Sequence, residues 1–589
     1  MTNQSMKTGA LSADSSEHEG EAVYSKDYWD LVLEQLAKRK LFNVGMAVLA
    51  LLYGLAIFAP LIGNDRPFKL VAVNYGEYDS AVRAVGRLST VALDRIHDNG
   101  PDLSERARLS QREVTAVSTR LELIRSFLPS SDKVAVNEFE ASLIRNHERA
   151  LQGETTHTVE EFWPLQEKAK SFASDYASAP HGSEEGAPGK HLVPSTRYPL
   201  AEGLGWGSIA FMVLWVLLAT FPLWNRLWNH LLASDRERIR RARGAKRTLC
   251  LGLPALAAVL WVVFVGGGAP AFDVSPFKRG LTDGSVIALE APIMAPIPLG
   301  YAETHKEEGF RPPTWTASSR LDSEGRYMRG LRVAKPDAIT GYLPPATPVE
   351  VRYSEPWPNA PHRHLAGTDE LGRDFFVRLL WGGRVSLAVG ILSAVLLTVI
   401  GVFIGSIAGY FGGWVDVLIM RVIEILQSIP AFFLILASLA FIDPKEVSIP
   451  PIFIIVVVIA LVRWTGAARL VRGEFLRLRE QEFVLAANAL GFSNMRTIFR
   501  HVLPNAISPV LVNAAFSVAA GILTESAVSF LGFGVQHPEA SWGSLVNESK
   551  SPEFWWIQVF PGVLIFITVT CYNLVGDAVR DALDPKMKS

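Results

Sequence analysis

Few residues in this 589-residue chain are spaced for chemistry. Arg421 and Glu424 stand three apart inside an apolar run, where opposite charges can meet on one helix face. An arginine at a bilayer centre costs roughly 2.5–3.5 kcal/mol, less with a partner or near the interface. The pair reads either as a structural brace near the interface or as part of a gate. His362 and His364, in PHRH, have no cysteine or carboxylate at ligand spacing, so they make a poor metal site. His97, His147 and His157 share no spacing. Cys250 and Cys571 both fall in apolar runs, which leaves no disulfide framework. The phosphate-cradling pattern GxxxxGK[ST] does not occur. We therefore expect no catalytic residues, no metal and no nucleotide bound by this chain itself.

A different kind of work is suggested by EFVLAANALGFSNMRTIFRHVLPNAISP, from Glu482 to Pro509. Ala486 and Ala487 remove bulk from a short helix, and Gly491 can take the left-handed conformation that ends it. Ser493 can cap a second short helix, and Pro504 is tolerated in the first turn of the next apolar segment. The product is a compact helix-turn-helix knuckle. Residue physics alone leaves it open whether the knuckle inserts into a partner's groove or is an ordinary amphipathic connector.

The elements that hold these residues are set by composition. Hydrophobic residues make up 49% of the chain, net charge is only −1, and mean hydropathy is +0.21. Apolar residues cluster in runs of about 20, the length that crosses a bilayer core. The expected fold is thus an all-α integral membrane protein, and the balanced charge argues against nucleic acid. Residues 1–40 read as a polar cytoplasmic tail ending in an amphipathic helix on the membrane face, and 41–63 as the first span. Residues 64–203 recur in apolar type every three or four positions and read as a helical domain outside the bilayer. Residues 204–267 read as a transmembrane hairpin with a strongly basic loop, which belongs in the cytoplasm. A Pro- and Gly-rich region, 268–381, follows outside, and 382–589 hold five more spans. Arginines including Arg463, Arg472 and Arg500 make the loop 463–505 cytoplasmic as well. About eight spans with both termini inside satisfy every loop. Gly401, Gly405 and Gly409 form a smooth face for close helix packing, and Pro430 kinks its helix.

The knuckle resembles the EAA loop of ABC-importer permeases. Ala486, Ala487, Gly491, Leu503 and Pro504 match in register; Leu485 and His501 replace the pattern's Glu and Ile, and Glu482 is the nearest acid. A second segment, HLAGTDELGRDFFVRLLWGGRVSLAVG, resembles the signature of oligopeptide/dipeptide (peptide/nickel) permeases, as do DVLIMRVIEILQSIPAFFL, LVGDAVRDALDP and the first-helix region YWDLVLEQLAKRKLFNVG. The resemblance covers about 24–63 and 360–586; that family normally has six helices, so a large insertion follows the first one here.

The resemblance implies a multi-pass permease of the bacterial cytoplasmic (inner) membrane that imports peptides or peptide-like solutes. It implies a homologous second permease subunit, two P-loop ATPase subunits carrying the ATP and Mg, and an extracytoplasmic solute-binding protein. Glu482, Ala486, Ala487, Gly491, Leu503 and Pro504 would then couple to the ATPase. Gly367, Thr368, Asp369, Leu371, Gly372, Arg373 and Asp374 would order an outer gate or a docking surface. The weighed alternative is a membrane sensor with the helical domain as input and the basic loop as output; no output domain is visible in the sequence.

Overall fold

The computed structural model describes residues 32, 35–74, 78–86, 103–128, 130, 133–152, 170–173, 195–225, 236–264, 286–288, 292–305, 309–313, 326–328, 350–352, 364–442 and 450–583. Most of the expected amphipathic helix before residue 40, and His97, His157 and His362, lie outside them.

In chain order, α1 (Lys40–Ile57) is followed by a single helical turn at Ala59–Ile62 and by strand β1 (Leu70–Asn74). Helices α2 (Leu103–Phe127) and α3 (Lys133–Gln152) come next, then β2 (Ser195–Arg197). Helices α4 (Trp206–Ala219) and α5 (Arg236–Phe264) lead to β3 (Val286–Ala288), β4 (Arg326–Met328) and β5 (Glu350–Arg352). The C-terminal part runs α6 (Phe375–Phe411), α7 (Gly413–Ser428), α8 (Ala431–Ala440), α9 (Pro451–Leu478) and α10 (Glu482–Ala489). It closes with α11 (Asn494–Thr497), a π turn at Ile498–Val502, α12 (Leu503–Phe530), α13 (Trp542–Asn547) and α14 (Trp555–Leu583).

The expectation of an all-α chain is corrected: β1 pairs antiparallel with both β2 and β3, and β4 pairs with β5. The first sheet sets Ala72 opposite Ser195 and Ala288. It therefore ties both ends of the expected 64–203 helical domain to the 268–381 region. The Leu70-Val-Ala-Val run is apolar and β-branched enough for a strand, yet too short for periodicity alone to separate from helix. The helices α2 and α3 keep their own core, in which Val82, Leu121, Ile124, Phe127 and Val136 are almost fully buried.

Among the described residues, five helices are long and apolar enough to cross a bilayer, or six if α7 and α8 form one span. Those two are bent by 80° at Ile429–Pro430, since Pro430 cannot donate a helical hydrogen bond. The two spans expected in 204–267 appear as shorter apolar helices, Trp206–Ala219 and Thr248–Val263 within α5. The second packs on the first, and the first lies against α1 through Trp215, whose Nε1 donates to Ala50 O at 3.1 Å.

Two boundaries also move. Helix α6 begins at Phe375, ahead of the expected core boundary at 382, because Asp374 caps it by accepting from Val377 N at 2.8 Å. The expected loop 463–505 is mostly helix: α9 stays helical to Leu478, α10 covers Glu482–Ala489, and the chain is helical again from Asn494. Arg463 is inside the bundle, donating to Ala520 O at 3.0 Å and Thr524 Oγ1 at 2.7 Å. Arginine count places a loop on one side of a membrane but does not say where a helix ends.

The close packing expected of Gly401, Gly405 and Gly409 is present. A Cβ on them would stand 2.5 Å from Ala467 Cβ, 2.4 Å from Ala468 O and 2.5 Å from Phe475 Cβ, so α6 lies backbone to backbone along α9.

Candidate functional site

Two groups of residues stand out, at opposite ends of α6. At its N-terminal end, the Gly367–Asp374 segment forms two tight turns with positive φ at Gly367 (80°) and Gly372 (72°), which glycine adopts without strain. Thr368 exchanges backbone and side-chain bonds with Arg311: its N donates to Arg311 O at 2.9 Å, and its Oγ1 accepts from Arg311 N at 2.7 Å. Trp556 Nε1 donates to Thr368 O at 3.1 Å, which fixes the start of α14 to the segment.

The segment's charges do not face water. Asp369 Oδ1 accepts from Leu371 N and Arg373 N, and its Oδ2 accepts from Arg373 Nε at 2.7 Å and from Arg378. Arg378 is fully buried and also meets Glu548, with Nη2 donating to Oε1 at 2.5 Å. Arg373 Nη2 lies 3.5 Å from the same carboxylate oxygen, and Arg373 Nη1 donates to His537 Nδ1 at 3.4 Å. Two guanidinium groups thus face two carboxylates in a closed, charge-balanced cluster, where unpaired charge would be costly. Burial pushes the Glu548 carboxyl above its ordinary value, and Arg378 pulls against that shift. Burial, then Arg373 and Arg378, hold His537 below the ordinary histidine value. His364, one of the PHRH pair, is buried with Nδ1 donating to Asp374 Oδ2 at 2.8 Å. No metal-holding group of His, Cys, Asp and Glu occurs among the described residues.

Sequence reasoning named Asp369, Arg373 and Asp374 but missed Arg378, Glu548 and His537. It also missed Glu525, which is fully buried and accepts from Ser386 Oγ at 2.9 Å and Ser529 Oγ at 2.7 Å. Ser386 Oγ in turn accepts from Trp542 N at 3.0 Å, so α13 is tied to α6 and α12. Arg378 and Glu525 were findable: each is an ionisable residue on a long apolar helix, where such residues are expected to have partners. The partners themselves are distant in sequence and gave no signal.

At the other end of α6, the knuckle forms as its residues suggest. Leu490 N donates to Ala486 O, and Phe492 N to Ala487 O, across Gly491 with φ 74°. Ser493 stands at the N-cap position of α11 but makes no side-chain cap bond. Phe492 stacks on His501 at 5.6 Å, and Arg496 lies 4.3 Å over the Phe492 ring. Val484, Ile498 and Val502 are buried against Phe475 and Leu478 and Ala487 is buried too, while Glu482, Ala486, Gly491 and Pro504 are exposed and Leu503 is half-buried. Around Gly491 a Cβ would meet nothing within 4 Å. Phe483, Leu485, Leu490, Met495 and Phe499 are exposed beside it, an apolar patch on the chain alone.

Arg421 and Glu424 do pair, Nη1 to Oε2 at 2.6 Å, on an exposed face of α7.

Long apolar helices around a buried charge cluster, with a small-residue knuckle at the far end, define a multi-pass membrane protein. Residues 401–589 match the binding-protein-dependent transport system inner membrane component family, and 27–80 match the N-terminal transmembrane domain of oligopeptide transport permease C. The chain is 40% identical over 228 residues to a dipeptide transport system permease of Alkalihalophilus pseudofirmus, covering 38% of this chain and 73% of that one. It is 41% identical to a putative peptide transport system permease of Brucella suis (42% and 81% covered) and 42% identical to an oligopeptide permease of Haemophilus influenzae (38% and 70%). The chain belongs to this family of inner-membrane transport permeases.

Proposed function

We propose that the chain is the translocation subunit of an ATP-driven importer for dipeptides, oligopeptides or peptide-like solutes. The similarity to peptide permeases over the C-terminal bundle supports the solute class. One observation carries the coupling role: the knuckle Glu482–Pro504 presents Ala486, Gly491 and an apolar patch to open space. That surface fits a groove on a P-loop ATPase subunit, which would supply the ATP and Mg chemistry. ATPase closure would move the knuckle and, through α9 and α12, the bundle, exposing its centre to alternate sides. The Gly367–Asp374 cluster would lie on the outer side, ordering the gate or the docking surface of a solute-binding protein. The short helices α4 and Thr248–Val263 would pair as an added transmembrane hairpin, giving eight spans with both termini cytoplasmic. The Arg421–Glu424 pair, exposed on an apolar face, fits a contact with a homologous second permease better than lipid.

Affinity purification from native membranes in mild detergent, with mass spectrometry of the co-purified chains, tests this. Recovery of a second permease and P-loop ATPases supports the reading. Recovery of the chain alone, or with signalling proteins, overturns it.

A further inference from the structure

A cavity of about 380 Å³ opens between the permease core and the segments that precede it, within the range of small-molecule sites. Trp381 and Arg384 of α6 and the Glu539–Ala540 segment form one side; Ser208 of α4 and the Gly300–Glu303 turn form the other. Ser208 and Tyr301 belong to the long segment between the first helix and α6.

The cavity is polar where it matters. Tyr301 stacks on Trp381 with ring centroids 4.5 Å apart, and the Arg384 guanidinium lies 5.0 Å over the same Trp381 ring. That stacking holds the guanidinium in place while using none of its N–H groups. Arg384 Nη2 donates to Ser208 Oγ at 3.0 Å, and among the described residues Arg384 makes no ion pair with a carboxylate. Glu539, half-buried, makes no hydrogen bond or ion pair among the described residues. Burial holds its carboxyl above the ordinary glutamate value. The Tyr301 hydroxyl is pushed up to about 12, by burial first and then by the Glu539 and Asp65 carboxylates, against the opposing pull of Arg384 and Arg66, so it stays a protonated donor. Two further acids and a second arginine line the cavity: Glu303 is already occupied, accepting from Gly300 N at 2.9 Å and His305 Nε2 at 3.0 Å, and Asp65 is buried beside Arg66.

A guanidinium fork with most donors unused and a carboxylate with no donor thus share one cavity without satisfying each other. Both groups are half-buried, and polar groups in this state are completed by water or by a bound partner. We propose that the cavity binds a small zwitterion, its anionic oxygens on Arg384 and its ammonium at Glu539. Two sources carry that chemistry: the free termini of a short peptide and the headgroup of an ethanolamine lipid. Only the first rests on the peptide-transport reading.

The test is calorimetric titration of the full-length chain in phosphatidylglycerol nanodiscs. The probes are dialanine, dialanine blocked at the amine, at the carboxylate or at both, and phosphoethanolamine. At least one free zwitterion should bind about tenfold more tightly than singly blocked dialanine. Arg384→Gln should abolish the preference for a free anion, and Glu539→Gln the preference for a free ammonium. Should Arg384→Gln fail to fold, Glu539→Gln decides alone, because Glu539 has no bond to lose among the described residues. Tighter dialanine assigns the site to solute, and tighter phosphoethanolamine assigns it to lipid. Equal binding of every probe, or variants that titrate like the unaltered chain, overturns the proposal. Uptake of dialanine by the assembled transporter is measured alongside. Uptake without a charge-dependent titration overturns the cavity site and leaves the transport reading standing. Titration without uptake supports the site and overturns that reading.

Discussion

Arg378 and Glu548, 170 residues apart in sequence, are joined by a 2.5 Å ion pair, with Arg378 wholly buried. The contact ties the first turn of α6 to the segment between α13 and α14. Asp369 and Arg373 complete the charge balance. Removing one member leaves the others buried and unpaired, so Glu548→Gln should cost about 3–5 kcal/mol. The double variant Arg378→Met, Glu548→Leu should cost less than the sum of its single changes. Thermal unfolding in detergent, run as a double-mutant cycle, measures both.

The same cluster should respond to acid through His537. Its neutral ring accepts from Arg373 Nη1, and a protonated ring would face Arg373 and Arg378 with only Asp369 to offset them. Its pKa is lowered in the folded state. Its contribution to stability is therefore complete above the ordinary value of 6.5 and is lost as pH falls through the lowered value. Unfolding temperature followed below pH 6.5 should fall less steeply in His537→Gln than in the unaltered chain. Parallel curves would remove the histidine from the cluster's acid response.

The α6–α9 contact should tolerate no side chain at Gly405. A Cβ there would stand 2.4 Å from the backbone oxygen of Ala468, which cannot rotate away. Gly405→Val is expected to cost about 1–3 kcal/mol by forcing the helices apart. Gly473, with open space around its Cβ position, should accept alanine at little cost, and comparing the two melting temperatures checks the claim.

At Gly491 conformation and space make separable demands. The φ of 74° penalises most L-residues by roughly 1–2 kcal/mol, while asparagine tolerates it. Nothing in the chain itself crowds the position. Gly491→Val should lose co-purifying ATPase while the bundle stays folded. Gly491→Asn keeps the turn but adds bulk; if it also loses ATPase, the partner approaches this backbone closely.

The knuckle was readable because every part of it is local. Ala486 and Ala487, the left-handed Gly491 and the early Pro504 act on their own turn, and the observed φ and hydrogen bonds follow from them. The charge cluster was only half readable. Asp369 and Arg373 belong to the one motif that the resemblance singled out and meet within it, but Glu548 and His537 arrive from the far side of α12. The strands escaped notice because Leu70–Asn74 is stabilised by Ser195–Arg197 and Val286–Ala288, and a short apolar run carries no trace of distant partners.

By itself, the sequence determined that this chain is a membrane protein and where most of its apolar helices lie. Bilayer thickness and backbone hydrogen bonding constrain each helix separately, without reference to its neighbours. It also determined the close approach along Gly401, Gly405 and Gly409, because a missing side chain acts wherever the helix packs. Only the tertiary structure decided that Arg378 shares its charge with Asp369 and Glu548, that the kink expected at Pro430 reaches 80°, and that Arg384 and Glu539 face one cavity without pairing with each other. Those outcomes depend on which groups meet in a low-dielectric interior, and that is fixed by the packing of whole helices and not by the spacing of residues along one.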